Sequence, residues 1–132
     1  MSLQKTATDI ANACLNAGLN ARAYHAGMET DQRMETQEWF MSGEDGIVVA
    51  TIAFGMGIDK SNIRNVIHFN PPKSLENYSQ EIGRAGRDGE ISRCELLLNP
   101  DDRIVLENFT YGDTPTRASI LKFIQTLAGQ PE

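Results

Sequence analysis

The stretch Pro-Lys-Ser-Leu-Glu-Asn-Tyr-Ser-Gln-Glu-Ile-Gly-Arg-Ala-Gly-Arg-Asp-Gly, Pro72 to Gly89, carries the reading of the whole chain. Ser74 is a residue type that caps helix N-termini. Leu75, Tyr78, Ile82 and Ala85 follow at helical spacing as one apolar stripe. At about 100° per residue, Gln80, Arg84 and Arg87 gather on the opposite face, centred about 170° from the stripe. The pattern predicts a helix that docks by one side and presents two guanidiniums and an amide from the other, a platform for an anionic ligand. Gly83 and Gly86 fall inside it, and each costs roughly 1 kcal/mol relative to alanine in a helix interior. Either another group approaches closely at these glycines or the helix ends there. An unremarked Gln-x-x-x-Arg-x-x-Arg would instead read as a solvated face, with Arg84 paired to Glu81 for a few tenths of a kcal/mol.

Outward from this stretch, short apolar runs alternate with helical patterns. Gln4 to Leu15 reads as a helix stopped by Gly18, and Ala21 to His25 as a strand ending at a turn. Thr30 or Asp31 caps a helix running to about Met41, closed by Ser42-Gly43. Ile47-Val48-Val49-Ala50-Thr51 and Asn65-Val66-Ile67-His68-Phe69 read as strands buried on both faces of a parallel sheet. His68 reads as a hydrogen-bonded core histidine rather than a catalyst. Gly55 and Gly57 let backbone approach a ligand or adopt positive φ, while Phe54, Met56 and Ile58 around them suit packing equally well. Cys94 to Leu98 is a further strand, Asn99-Pro100-Asp101 opens a helix to about Phe109, and Thr114-Pro115 opens a last helix through Leu127. Strands alternating with helices predict an α/β layered domain with a mainly parallel sheet.

The chain has 132 residues, room for one domain, 1–132, and its apolar share of 40% and charged share of 23% suit a globular fold. Residues 1–3 resemble an added leader. No apolar run approaches the roughly 18 residues of a membrane span, and no signal peptide is recognisable. The expected location on these grounds is intracellular, with no membrane partner. Cys14 and Cys94 fall short of the roughly four ligands of a structural zinc site, so no metal is expected, and two buried reduced thiols are preferred to a disulfide. With 12 basic and 18 acidic residues the net charge is −6, against the usual basic footprint of nucleic-acid binders. Backbone amides, hydroxyls and one or two lysines can still hold a few phosphates, so weak nucleic-acid binding by the chain alone is compatible with this balance.

Gln-Glu-Ile-Gly-Arg-Ala-Gly-Arg-Asp-Gly, Gln80 to Gly89, resembles the sixth motif of superfamily 2 helicases in the form used by RecQ DNA helicases. Ala50 to Lys60, Ala-Thr-Ile-Ala-Phe-Gly-Met-Gly-Ile-Asp-Lys, resembles that family's fifth motif, and Tyr24 to Met28, Tyr-His-Ala-Gly-Met, the short motif before it. DEAD-box RNA helicases carry other forms of the fifth and sixth motifs, which favours DNA over RNA. A non-catalytic RecA-like regulatory domain would be expected to lose Arg84, Arg87 or Asp59, and all three are present.

The resemblance covers nearly all of Gln4 to Leu98. It implies a RecA-like, P-loop NTPase-type three-layer domain, the helicase C-terminal lobe, second of two that bind ATP and single-stranded nucleic acid in ATP-driven 3′ to 5′ unwinding. In that reading Arg87 and Arg84 face the γ-phosphate as an arginine finger and Gln80 supports them by hydrogen bonding. Asp59 contacts the ribose or links to the sixth motif, with Gly57 beside it at the ATP site. Thr51 and Gly55 touch DNA phosphates, and His25 lies near that path or serves in packing. The chain has no Gly-x-x-x-x-Gly-Lys-Ser/Thr loop and no Asp-Glu-x-His run, so ATP with magnesium is expected to be held mainly by a first lobe. The partners implied are that lobe, single-stranded DNA and duplex–single-strand junctions, and the processes are DNA repair and recombination. The strand that carries the fourth motif in relatives has no counterpart, so the chain reads as a fragment without the first lobe, inactive alone and prone to self-associate through an unpaired sheet edge. Past Asn99 the match weakens, leaving either a short-form RecQ-like helicase or a chain cut before the zinc and winged-helix modules.

Overall fold

The computed structural model describes residues 3–51, 54, 58–103, 107, 117, 118 and 121. The chain divides into two compact units, Met1–Lys60 and Ser61–Glu132, each with one pair of parallel strands among the described residues.

In the first unit α1 spans Leu3–Asn16, β1 Ala21–Tyr24, α2 Thr30–Ser42 and β2 Ile47–Ala50. The α1 segment has no glycine or proline inside it, and Ala7 and Ala11, four residues apart, are its buried positions. Their small side chains let the helix lie close on β1 and β2, and a larger residue at Ala11, only 3% exposed, would cost about 1–3 kcal/mol in overpacking. Gly18, at φ +82°, ends the helix as its sequence position predicts, with the Leu19 amide donating to Cys14 O at 3.0 Å. The register of the strand pair runs from Ala21 opposite Ile47 to Tyr24 opposite Ala50. The ladder continues where the Thr51 amide donates to Tyr24 O at 3.1 Å.

Parallel strands need a crossover, and α2 lies between β1 and β2 in the chain. Its N-cap is Glu29, without a side-chain cap bond, so neither Thr30 nor Asp31 caps it. Both stand inside the first turn, where Asp31 meets the positive end of the helix dipole. At the other end the Lys60 ammonium donates to Gly43 O at 2.6 Å and Met41 O at 3.2 Å, supplying donors to carbonyls a helix terminus leaves unpaired. The Arg22 guanidinium of β1 lies 4.6 Å from the Trp39 ring centre and 3.3 Å from the Glu35 carboxylate, which fastens α2 to the strand. The β2 strand is not buried on both faces: Val48 and Val49 are half-buried, and Ile47 and Ala50 are exposed.

In the second unit β3 spans Asn65–His68, α3 Leu75–Ile82 and β4 Arg93–Leu96. The parallel register runs from Asn65 opposite Arg93 to His68 opposite Leu96. The strand β3 alternates, with Val66 and His68 half-buried and Asn65 and Ile67 exposed, Ile67 by 60%. The expectation of a strand buried on both faces therefore fails here too. The side bearing Asn65 and Ile67 is polar enough to carry an ion pair between Arg93 and Glu95 on β4. His68 is the hydrogen-bonded core histidine expected: its side chain is 10% exposed, Nε2–H donates to Glu81 Oε2 at 2.6 Å, and the Tyr78 ring lies 5.1 Å away. These contacts bind α3 to β3. Both cysteines are free, but Cys94 is exposed and Cys14 half-buried, because Cys94 stands on a strand whose first two residues face solvent.

Beyond β4 the Asn99 amide donates to Asp102 Oδ2 at 2.8 Å and the Asp101 amide to Asn99 Oδ1 at 3.1 Å. These bonds open the helical turn at Asp102–Arg103, as the Asn-Pro-Asp run predicts. The full extent of that helix to Phe109 and most of the one from Thr114 to Leu127 lie outside the described residues, as do Gly55 and Gly57. Among the described residues no helix is long and apolar enough to cross a membrane.

Candidate functional site

The arginine-bearing loop of the second unit grows out of the end of α3. That helix opens on Ser74, whose hydroxyl oxygen accepts from the Asn77 amide at 3.1 Å, a cap worth about 1 kcal/mol. Its own backbone amide, and then the Ser74 hydroxyl, hold the Glu76 carboxyl below the usual glutamate range. The helix then stops at Ile82, short of both arginines. Gly83 takes the C-cap position and its amide donates to Ser79 O at 3.0 Å. The Arg84 and Ala85 amides donate three residues back, to Glu81 O at 3.3 Å and Ile82 O at 3.1 Å, a tightened final turn.

Gly86 ends any continuation. Its φ of +63° lies in the left-handed region that costs other residues roughly 1–2 kcal/mol, and its amide donates outward to Ile63 O at 3.0 Å. A Cβ on Gly86 would stand 2.8 Å from Ser92 Oγ and 2.9 Å from Glu90 O. Both possibilities raised by the two glycines are thus realised, the helix ending at Gly83 and a close approach occurring at Gly86. The single helical face predicted for Gln80, Arg84 and Arg87 is replaced by one exposed amide on the last turn of α3 and two guanidiniums on the turns after it. The apolar stripe is shortened as well: Leu75 is 82% exposed, while Tyr78, Ile82 and Ala85 are half-buried.

Arg87 is exposed, and its Nε donates to Gly83 O at 3.2 Å, so the side chain folds back on the carbonyl that ends the helix. Arg84 is half-buried. The Glu81 carboxylate accepts from His68 through Oε2. On the far side of Arg87 the Asp88 amide donates to Ser61 O at 3.2 Å. The Asp88 carboxylate pairs through Oδ2 with Arg64 Nη2 and through Oδ1 accepts from the Glu90 amide at 3.1 Å. That hydrogen bond from Arg64 holds the Asp88 carboxyl below the ordinary aspartate range and raises the guanidinium in return. The Arg64–Asp88 pair has no local signal in the sequence, since its partners are 24 residues apart and meet only because β3 and β4 pair.

In the first unit Thr51 and Asp59 lie in the sequence on either side of Gly55 and Gly57. Thr51 is half-buried and its carbonyl accepts from the Phe54 amide at 3.1 Å. Phe54 stacks edge-on against Tyr24 at 4.7 Å and against Phe40 at 5.6 Å. Ile58 is buried, Asp59 is exposed, and Lys60 is drawn to the end of α2. His25 shares a 3.1 Å hydrogen bond between Nε2 and Thr8 Oγ1 of α1, and its carbonyl accepts from the Met28 amide at 3.1 Å. The part played by Lys60 escapes a reading by motif, because a lysine that anchors a helix terminus looks in sequence like any surface lysine. Among the described residues no group of three or more His, Cys, Asp or Glu side chains is placed to hold a metal ion.

The family model described as helicase conserved C-terminal domain matches residues 2–89, a span that includes every candidate residue above. The chain is 53% identical over 93 residues to the ATP-dependent DNA helicase RecQ of Pasteurella multocida, covering 70% of this chain and 15% of that protein. It is 55% identical over 87 residues to the protein of the same name in Bacillus subtilis, covering 66% and 15%. With the ATP-dependent DNA helicase Q-like 5 of Arabidopsis thaliana it shares 44% identity over 106 residues, covering 80% and 12%. The chain thus spans 12 to 15% of the length of these three relatives. Among solved structures it is similar to the Mss116p DEAD-box helicase domain 2 bound to an RNA duplex, with a TM-score of 0.68 and 23% identity over 82% of this chain and 43% of that one. That likeness concerns the fold.

Proposed function

The chain belongs to the family of helicase conserved C-terminal domains and is a RecQ-like, superfamily 2, RecA-like lobe, and from that premise we propose that it is the second motor lobe of an ATP-dependent DNA helicase working 3′ to 5′. The observation that carries the reading is the loop from Gly83 to Gly89. Two arginines three positions apart leave the end of a helix on a turn whose backbone is bonded on both sides of Arg87, an arrangement suited to meeting a phosphate with little loss of side-chain and backbone freedom on binding.

In the second unit Arg87 acts as the finger that stabilises charge on the transferring γ-phosphoryl group, Arg84 binds the same phosphate, and Gln80 donates a hydrogen bond beside them. Guanidiniums fit such an anion: they stay charged at any working pH and offer paired donors in a plane. In the first unit Asp59 accepts from the ribose beside Gly57, and the Thr51 hydroxyl and Gly55 backbone hold phosphates of single-stranded DNA. His25, tied to Thr8, supports that path. ATP brings the phosphoanhydride bond and magnesium the neutralising cation. Both are assigned mainly to a first RecA-like lobe, since this sequence has no phosphate-binding Gly-x-x-x-x-Gly-Lys-Ser/Thr loop. Action at duplex–single-strand junctions, roles in DNA repair and recombination, and a cytoplasmic, nucleoid-associated location belong to the same proposal.

DNA is preferred to RNA because the relatives that share 44 to 55% identity with this chain are named DNA helicases, whereas the DEAD-box domain shares 23%. The test is ATP turnover by the two-lobe protein with single-stranded DNA or RNA of equal length. Stimulation by DNA and little by RNA is expected. Equal or greater stimulation by RNA would overturn the choice of nucleic acid.

A further inference from the structure

Arg87 stands between two backbone bonds to one strand of chain: the Gly86 amide donates to Ile63 O at 3.0 Å and the Asp88 amide to Ser61 O at 3.2 Å. The next residue of that strand, Arg64, adds a side-chain bond. One end of its guanidinium pairs with Asp88 Oδ2 and the other donates to Glu90 O at 3.5 Å, while Asp88 Oδ1 accepts from the Glu90 amide. Arg64 is itself anchored, because its carbonyl accepts from the Arg93 amide at 2.8 Å where β3 and β4 begin to pair. We propose that Arg64 and Asp88 are positioning residues for the arginine loop, their guanidinium–carboxylate contact adding to the backbone bonds that couple the placement of Arg87 to the β3–β4 pair. The inference rests on the finger reading of Arg87.

Position is what such a pair can supply. Both partners are accessible to solvent, with side chains 38% and 27% exposed, and an ion pair at that exposure adds little to stability. Its energetic role is small, yet its geometric role is large: a guanidinium held by its two ends to a carboxylate and a carbonyl fixes the turn from Asp88 to Glu90, and so the direction in which Arg87 leaves the backbone. A displacement of about 1 Å at a reacting group can cost a hundredfold in rate, far more than the pair contributes to folding.

The experiment compares Asp88→Asn, Arg64→Lys and Arg87→Ala in the two-lobe protein by DNA-stimulated ATPase, with thermal unfolding alongside. Asp88→Asn keeps an oxygen for the Glu90 amide but loses the charge, and Arg64→Lys keeps the charge but loses the fork. Each is expected to lower kcat by roughly ten- to a hundredfold, with KM for ATP within about twofold and little change in Tm. The double variant should be no slower than the slower single one, as for two residues acting through one contact. In the 132-residue chain, Asp88→Asn should speed hydrogen exchange at the Gly86 and Asp88 amides relative to the Arg93 amide. If Arg87→Ala abolishes turnover while Asp88→Asn and Arg64→Lys keep kcat within twofold, the positioning inference is overturned and the finger stands. If Arg87→Ala itself keeps normal turnover, the finger reading fails first. Should Asp88→Asn not fold, Arg64→Lys and the exchange rates around Gly86 decide.

Discussion

Replacing Gly86 by alanine tests the arginine loop by its sterics alone. Two costs add at this position. The backbone sits at φ +63°, which costs a residue with a Cβ roughly 1–2 kcal/mol. The new methyl would also stand 2.8 Å from Ser92 Oγ and 2.9 Å from Glu90 O. A serine hydroxyl can rotate away, but the Glu90 carbonyl is backbone, held by Arg64 and by the bond from its own amide to Asp88, so relief means moving the turn, at about 1–3 kcal/mol. Gly89 provides the control: its φ is +84°, and a Cβ there meets nothing within 4 Å, so Gly89→Ala bears the first cost without the second. Gly86→Ala is therefore expected to lose roughly 2–5 kcal/mol and Gly89→Ala about 1–2 kcal/mol. For a chain of this size the difference of some 2 kcal/mol corresponds to about 6–10 °C in Tm. Thermal unfolding of both variants followed by circular dichroism measures it. Equal losses would refute the packing of Gly86 against Ser92 and Glu90, and with it the account of why the helix cannot run on through the arginines.

Arg87→Ala in the two-lobe protein should lower ATP turnover by roughly a thousandfold or more at nearly unchanged nucleotide affinity, read by steady-state ATPase beside direct binding; near-normal turnover would return the arginines to a plain surface role. Arg87→Lys should rescue poorly, since an ammonium has no planar fork and cannot hold Gly83 O while reaching a phosphate. The 132-residue chain alone is expected to show no DNA-stimulated ATPase, and turnover in a contaminant-free preparation would contradict the division of labour between lobes. Because Arg64 depresses the Asp88 carboxyl, the stability it contributes is present above the ordinary aspartate value of about 3.9 and is lost as the pH falls through the lowered one. The stability gap between the natural chain and Asp88→Asn should therefore shrink on acidification below about pH 4, and a gap that widened would contradict the sign.

Local signals survive into the structure where the chain itself decides the outcome. Ser74 caps α3, Gly18 ends α1, and the β-branched runs at Ile47 and Asn65 begin strands at the residues expected. The misreadings share one cause, a contact that periodicity cannot contain. A 3.6-residue stripe through Leu75, Tyr78, Ile82 and Ala85 looks continuous, yet Gly86 bonds to Ile63 and draws the chain out of the helix. The same limit hides the Arg64–Asp88 pair. The run at β3 reads as a strand buried on both faces, but its register with Arg93 and Glu95 leaves Ile67 on a solvated side. Resemblance to a family supplied the identity of Arg84 and Arg87. Their setting, on turns rather than on a helical face, came from tertiary bonds.

The register of β3 with β4 also makes the arginine loop a segment of fixed length. Its start is set by the His68–Glu81 bond that fastens α3 to β3, and its end by the Arg93 amide on Arg64 O. Inserting or deleting one residue between Gly83 and Ser92 leaves two outcomes. Either the turn absorbs the change and Arg87 moves, or β4 slips by one place and turns Cys94 and Leu96 to the side now occupied by Arg93 and Glu95. A change in the length of this loop therefore displaces either Arg87 or the pairing of β4 with β3.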